Sequence, residues 1–501
     1  MSSRSARPTA DPVTGWSRRA VLAAGGMGAL AACGSPRADL GASSSAPTVA
    51  PPRWAQLRRH LTGSLARPGD PAYDRVRLLQ NPRYDAERPL AVLSARTPRD
   101  VATGLTFAQD HGLPIAIRSG GHSYPGWSGG GRPRALVIDV RPMAAVTWAG
   151  TTATIGAGAA LAHVYDQVAG RGRAIPGGSC ATVGIGGLAL GGGVGVLTRA
   201  LGLTCDAVRS ISVVTADGHR RTASTDEEPD LFWALRGGGG GHLGVVTSFD
   251  LATSVAPTVT SFYLAWPWAR AGEVVDAWQG WAPAADRRLW STLKLLGGAK
   301  HPGGPTVFVS GTWIGASSAL DGRLAPFLRH LPAPSARAVH VRGFGDAMAA
   351  YGGAGAPREA FAATSHVAYD PLDQAGTADL VGAVEAVSGA GLKEVGASVD
   401  ALGGAAGQPA PGDTAFVHRD ALATVQYTAT FPSGTATTAD AAVHRLRAAM
   451  EPHWGEHAYV NYADATLRDY RSAYFGANAT RLAQVRATYD PHRFFTQPQD
   501  F

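Results

Sequence analysis

The sequence predicts an α+β chain of two domains, and three observations carry that reading. From residue 113 to 251, short apolar runs alternate with glycine clusters, a texture of strands and tight turns. Beyond Val255, tryptophan becomes frequent, the apolar runs lengthen, and helical stretches appear at 269–281 and 439–450. The chain is 501 residues long and 45% hydrophobic, enough to fill the cores of two or three domains of about 150 residues each.

Composition excludes several classes. The 64 glycines and 33 prolines follow no G-X-Y period, so collagen is excluded and many tight turns are implied. Three cysteines are too few for a disulfide scaffold. The net charge of +7 is local: residues 1–60 hold eight Arg against two Asp, and the remainder is close to neutral. Only Lys294, Lys300 and Lys393 are lysines. No basic stripe marks the folded part, so no nucleic-acid partner is expected.

The N-terminus reads as an address. Arg18-Arg19 precedes a 13-residue apolar stretch from Ala20 to Ala32, shorter than the ~20 residues that span a bilayer. Leu30-Ala31-Ala32-Cys33 resembles a bacterial lipobox, which would make Cys33 the site of a lipid anchor; an ordinary signal peptide with an incidental cysteine is the alternative. We expect a twin-arginine export signal over 1–33 and a tether over 34–60, rich in Ser, Ala and Pro. The product would be extracellular or in the cell envelope, touching membrane only through that anchor.

In the first domain, apolar runs at 113–117, 135–140 and 146–157 read as strands, and 161–169 as a helix. The runs 208–214 and 220–223 flank Ala216-Asp217-Gly218 and predict a hairpin. A short helix is expected at 230–235 and a strand at 244–251. The last helix, 479–488, is closed by Asp490-Pro491.

Three glycine-rich elements stand out. The first is Arg118-Ser119-Gly120-Gly121-His122-Ser123, directly after an apolar run; its glycines let backbone approach a ligand closely, and a plain turn with a surface histidine is the bland alternative. The second is Gly177-Gly178-Ser179-Cys180-Ala181-Thr182-Val183-Gly184-Ile185-Gly186-Gly187, continuing to Gly191-Gly192-Gly193. So many glycines around one thiol suggest main chain laid along a diphosphate or flat ring; a small buried cysteine is the alternative. The third is Trp233-Ala234-Leu235-Arg236, five glycines, then His242-Leu243-Gly244-Val245-Val246.

With Tyr459-Val460-Asn461-Tyr462 and the closing run from Tyr474-Phe475-Gly476 to Tyr489-Asp490-Pro491 and Phe495, these elements follow a known order. From about residue 85 to its end the chain resembles the FAD-linked oxidases of the berberine bridge enzyme type. The resemblance implies a two-domain PCMH-type FAD-binding fold: an FAD-binding domain over 85–254, a substrate domain of antiparallel sheet plus helices over 255–460, and a segment, 461–501, returning to the FAD domain.

It also implies a covalent FAD, bonded at the flavin 8α-methyl by His122 and at C6 by Cys180. A neutral imidazole and a thiolate are suitable nucleophiles toward an electron-poor ring. Arg118, Ser119, Gly120, Gly121, Ser123, Ser179, Thr182, Gly184, Gly186, Gly187, Gly244, Val246 and Asn461 would help hold the cofactor. Val183 matches members that use O2 and release H2O2. Tyr462 would be the base, with Gln426 donating to its phenolate, because a tyrosine near pKa 10 needs help at neutral pH. Three departures stand in the pattern: Ala181 in place of a proline, Val194 in place of a tyrosine found in some plant members, and His242 where the glycine run ordinarily has asparagine.

The implied reaction oxidises an alcohol or hemiacetal C–H of a small molecule, a sugar or a secondary metabolite. Trp266, Trp268, Trp278, Trp281, Trp290 and Trp313 have faces able to stack on sugars, and core packing accounts for each equally well. Other readings share these residues: a same-fold dehydrogenase, an oxidative cyclase, and a flavin-free ligand-binding lipoprotein. Cys205 reads as a packing thiol. No metal site is expected: His453 and His457 have ligand-like spacing, but Pro452 and Gly455 argue against the helix they need. Gly156-Ala157-Gly158 lacks the rest of a dinucleotide fingerprint, and no G-x-S-x-G elbow occurs.

Overall fold

Continuous apolar runs and alternating ones give different sheets here. The computed structural model describes residues 52–352 and 357–501. The expected signal at 1–33, Cys33 included, and most of the expected tether lie outside the described residues. The end of that tether is instead the helix Trp54–Arg59, because Leu57 is buried in the core.

The runs Ile115–Arg118 and Leu136–Asp139 pair in parallel, as do Leu136–Asp139 and Ala91–Ser94, and Ser64–Ala66 adds antiparallel to complete a four-stranded sheet. Apolar side chains point to both faces of these strands, which suits buried parallel strands. Between them runs the helix Pro98–Asp110, started by a capping box in which Thr97 Oγ1 accepts from Asp100 N at 3.1 Å.

A second sheet is antiparallel: Val146–Ala149, Thr152–Gly156, Val245–Ala252, Val208–Val214 and Arg220–Ser224 in that order. The expected hairpin is its edge; Gly218, at φ +76°, makes the turn that a side chain would strain. The helix Leu161–Ala169 has the predicted bounds.

From Thr258 to Thr430 the chain forms a seven-stranded antiparallel sheet. Its order is Ala336–Gly343, Thr258–Trp266, Thr306–Ile314, Leu289–Gly297, Glu394–Ala401, Ala423–Thr430 and Phe361–Ala368. The helices Ala271–Trp281, Gln374–Ser388 and Ala436–Trp454 cover one face, and Leu264, Leu293, Val399, Val425 and Tyr427 fill the core between. The intervening positions, Lys294, Ser398, Asp400, Gln426 and Thr428, are only half-buried and lie on the other face. The helix Ala436–Trp454 runs through Pro452, where the sequence predicted no helix; Met450 and Trp454 are buried, so packing overrides the lost hydrogen bond. His453 faces Asp379 (2.9 Å) while exposed His457 lies against the Tyr369 ring, so the two histidines serve different contacts.

Residues after 461 share the apolar core of the two smaller sheets. Leu482 and Val485 of the helix Ala479–Tyr489, with Phe495 and Phe501, pack there among Leu231, Phe232 and Trp233.

Candidate active site

Glycine governs the central cleft. Gly120 and Gly184 pass so closely that a Cβ on either would strike the other's backbone, locking the His122 loop to the segment after Cys180. A Cβ on Gly191 would likewise collide with Asn461 Oδ1. Between these segments opens a cleft of about 260 Å³. Gly187 forms part of its wall, and a Cβ there would project into open space with nothing within 4 Å. The walls combine bare main chain at these glycines with apolar side chains such as Ile117, Trp127, Leu188, Val460 and Phe475 and a few polar ones, a lining that suits a large ligand with a flat ring and polar groups, as FAD has.

Most of the residues expected to hold the cofactor do line this cleft: Ser119 to Ser123, Val183, Gly184, Gly186, Gly187, Gly244, Val246 and Asn461, with Tyr462 beside them. Asn461 is fixed by donating Nδ2 to Leu188 O (3.0 Å) and Tyr459 Oη (2.9 Å). Thr182 stands at the rim, where its Oγ1 lies 2.9 Å from His122 Nε2 and 3.8 Å from Cys180 Sγ. One hydroxyl therefore gathers the two nucleophiles named from the sequence. Burial pulls His122 down to about 4, so its imidazole is neutral at neutral pH.

Four expectations are corrected. Arg118 does not reach the cleft: it is wholly buried, pairs with Asp139 at 2.9 Å, and donates to Val76 O and Arg77 O. Ser179 is exposed and outside the cleft lining, as are Cys180 and Thr182, but unlike Cys180 it makes no contact with Thr182 Oγ1. Gln426 donates to Tyr124 Oη, not to Tyr462. The tryptophans at 266, 278, 281, 290 and 313 are buried in apolar cores, which leaves them no face for a sugar; Trp127 lines the cleft instead. Cys205 is fully buried, as expected of a packing thiol.

The sequence reading missed three partners of Tyr462. Tyr124 lies parallel to it, with centroids 5.6 Å apart. Tyr459 meets it edge-on at 4.9 Å. Asp400 sits on the roofing sheet, where Asp400 pairs with Thr424 and its neighbour Ser398 with Gln426. The charge of Asp400 acts on both Tyr462 and Tyr124. Burial, reinforced by Asp400, drives Tyr462 well above the usual tyrosine value. In place of the expected amide donor, Gln426, the charge that acts on Tyr462 is that of a carboxylate. Burial also raises Asp400, against the opposing pull of Thr292 and Lys294. A signal for Asp400 existed: with Glu394 and Ser398 it occupies the polar phase of an alternating strand, so its side chain leaves the apolar core.

The comparisons with known proteins agree with this geometry. Residues 89–224 match a family model described as an FAD binding domain, and residues 458–500 one described as berberine and berberine like. An uncharacterized FAD-linked oxidoreductase of Bacillus subtilis, YgaK, is 33% identical over 448 residues, 87% of this chain and 96% of the relative. The chain belongs to the FAD-linked oxidoreductases of the berberine bridge type. BBE-like 1 of Physcomitrella patens superposes with a TM-score of 0.82 at 28% identity, covering 89% of this chain and 98% of that one. Glucooligosaccharide oxidase from Acremonium strictum, whose structure is titled for its 6-S-cysteinyl, 8α-N1-histidyl FAD, gives 0.79 at 26% identity, covering 88% and 98%. This FAD-dependent oxidoreductase thus has the two-domain flavoprotein fold expected from its motifs.

Proposed function

We propose that this oxidoreductase is an oxidase with bicovalently attached FAD, acting on an alcohol or hemiacetal C–H of a small molecule, an oligosaccharide in the first instance. The observation that carries the reading is the meeting of His122 and Cys180 at Thr182 Oγ1 on the rim of a glycine-walled cleft. The two links titled for glucooligosaccharide oxidase, one histidyl and one cysteinyl, support it. His122 would attach at the 8α position and Cys180 at C6, and the cleft glycines with Ser119, Ser123 and Asn461 would cradle the rest. Bound FAD supplies a two-electron acceptor that O2 reoxidises, yielding H2O2.

The chain's own part is to position the substrate and move one proton. Tyr462, protonated at working pH, hydrogen-bonds the substrate hydroxyl. When that hydroxyl gives up its proton to Tyr462, the phenol proton passes on toward Asp400, a half-buried carboxylate of heightened proton affinity whose charge acts on Tyr462. Tyr124, held by Gln426, keeps the Tyr462 ring in place. Val183, in the cleft lining, matches the members of the family that use O2, which supports the oxidase reading. Export through the twin-arginine route, with Cys33 as lipid anchor, fits a protein that folds around its cofactor before crossing.

Acid precipitation followed by peptide mass analysis tests the reading. The pellet should stay yellow, with flavin mass on peptides containing His122 and Cys180, and reducing oligosaccharides should drive O2 consumption with equal H2O2 release. Pigment lost to the supernatant would refute the covalent assignment. Turnover with an artificial acceptor but not with O2 would refute the oxidase assignment.

A further inference from the structure

His242, the departure that the motif reading left without a role, faces the cofactor cleft. It shares that wall with Gly239 and Gly241, and is otherwise enclosed, with 7% of its surface open. Its Nδ1 lies 3.3 Å from Asp500 Oδ1, and its ring packs 4.5 Å from that of Phe501, the last residue. Asp500 is itself pinned. Tyr470 Oη and Arg471 Nε donate to its main-chain carbonyl at 2.7 and 2.8 Å, Arg493 pairs with Oδ2 at 2.8 Å, and Arg486 also contacts the carboxylate.

The other ring nitrogen has no partner among the described residues. It is not sealed in protein either, unlike Nε2 of His366 and His418, which are buried and unpartnered. We propose that His242 Nε2 accepts a hydrogen bond from the FAD held in the cleft, with Asp500 fixing the tautomer that makes it an acceptor. The logic is donor counting. A carboxylate only accepts, so Nδ1 carries the proton, and a neutral ring then leaves a lone pair on Nε2. Burial and the nearby Arg486 bring His242 down to about 3, which keeps the ring neutral.

An acceptor does not bind a diphosphate. The partner on the cofactor is therefore a donor, a ribityl or ribose hydroxyl or the adenine amino group, rather than a phosphate oxygen. On this reading the last two residues stand behind the wall of the cofactor site that His242 forms, and the four side chains that pin Asp500 hold that backing in place. The inference needs only that the cleft takes FAD, and is independent of the oxidase chemistry.

The test uses the full chain purified from riboflavin-starved cells and titrated with FAD, following the rapid reversible fluorescence quenching that precedes covalent attachment. His242→Phe keeps the ring on Phe501 but removes Nε2, and FAD should bind about tenfold more weakly while the melting temperature of the FAD-free chain is unchanged. Asp500→Asn frees the tautomer and should also weaken binding several-fold. Wild-type affinity in His242→Phe overturns the inference, as does a loss of affinity matched by an equal loss of FAD-free stability. Should His242→Phe fail to fold, wild-type affinity in Asp500→Asn overturns it instead. An unaltered chain that takes up no FAD would remove both the cofactor assignment and this inference.

Discussion

Tyr124 lies flat against Tyr462, the ring planes 2° apart, and it takes a hydrogen bond from Gln426 at its hydroxyl. Gln426 therefore acts on the site through Tyr124, across a separation of 302 residues. Tyr124→Phe keeps the stacked ring and removes only the acceptor, so kcat should fall about tenfold with flavin content unchanged. Tyr462→Phe, which removes the group proposed to receive the substrate proton, should cost roughly 10²- to 10⁴-fold. Anaerobic flavin reduction followed in a stopped-flow instrument separates the two; equal losses would mean that Tyr124 does more than position Tyr462.

The carboxylate in this cluster sets a pH dependence with a definite sign. In the proposed relay Asp400 must be ionised to accept a proton, and desolvation raises it above the ordinary carboxylate value near 4. Activity, as kcat/KM, should thus rise with pH through a limb displaced upward from that value. Lys294 opposes the shift, so Lys294→Met should move the limb to still higher pH. Asp400→Asn should abolish the limb and lower kcat at every pH. A limb that Asp400→Asn leaves in place belongs to another group.

How much of this was legible beforehand differs by element. The helix Leu161–Ala169 and the hairpin around Asp217-Gly218 follow from local periodicity and turn chemistry, and local rules suffice for them. The glycine segments likewise announce a cleft, because only close backbone approach explains them. Arg118 misled because the strand Ile115–Arg118 continues through it, and its partner Asp139 lies on a strand that sequence alone does not bring alongside. Tyr124 stayed hidden for a related reason, since its partner Gln426 is 302 residues away, and the polar phase of its strand marks Asp400 without showing which tyrosines its charge reaches. The tryptophans read equally well as core or platform, and burial decided for core.

His122 gives a second pH prediction of the same sign, with its limb displaced downward instead of upward. Its imidazole attacks only when neutral, and burial brings it down to about 4. If the two proposed links are right, His122 is the one remaining in Cys180→Ala, and covalent incorporation of FAD into that variant should stay level from about pH 8 to about pH 5 and decline toward 4. An ordinary histidine would lose that capacity already near 6.5. Flavin retained in acid-precipitated protein, assayed against the pH of incorporation, decides between them.

Arg199 ties the glycine-rich half of the chain to the roofing sheet. It is buried, and its guanidinium donates to Leu289 O (2.9 Å), Pro283 O (2.9 Å), Ala285 O (2.6 Å) and Leu402 O, carbonyls at one end of the strands that carry Trp290 and Asp400. Burial brings Arg199 down to about 10, still charged at neutral pH, so the four carbonyls repay part of a desolvation cost. Arg199→Met preserves much of the stem's packing but leaves the carbonyls without a donor, at about 1–3 kcal/mol for each that water cannot reach. A net loss of roughly 3–5 kcal/mol is expected, visible as a lower urea midpoint. Arg199→Lys should recover only part of it, because a single ammonium has three donors and no planar fork with which to meet four divergent carbonyls. A lysine variant as stable as the parent would show that the charge, rather than the fork, holds the two halves together.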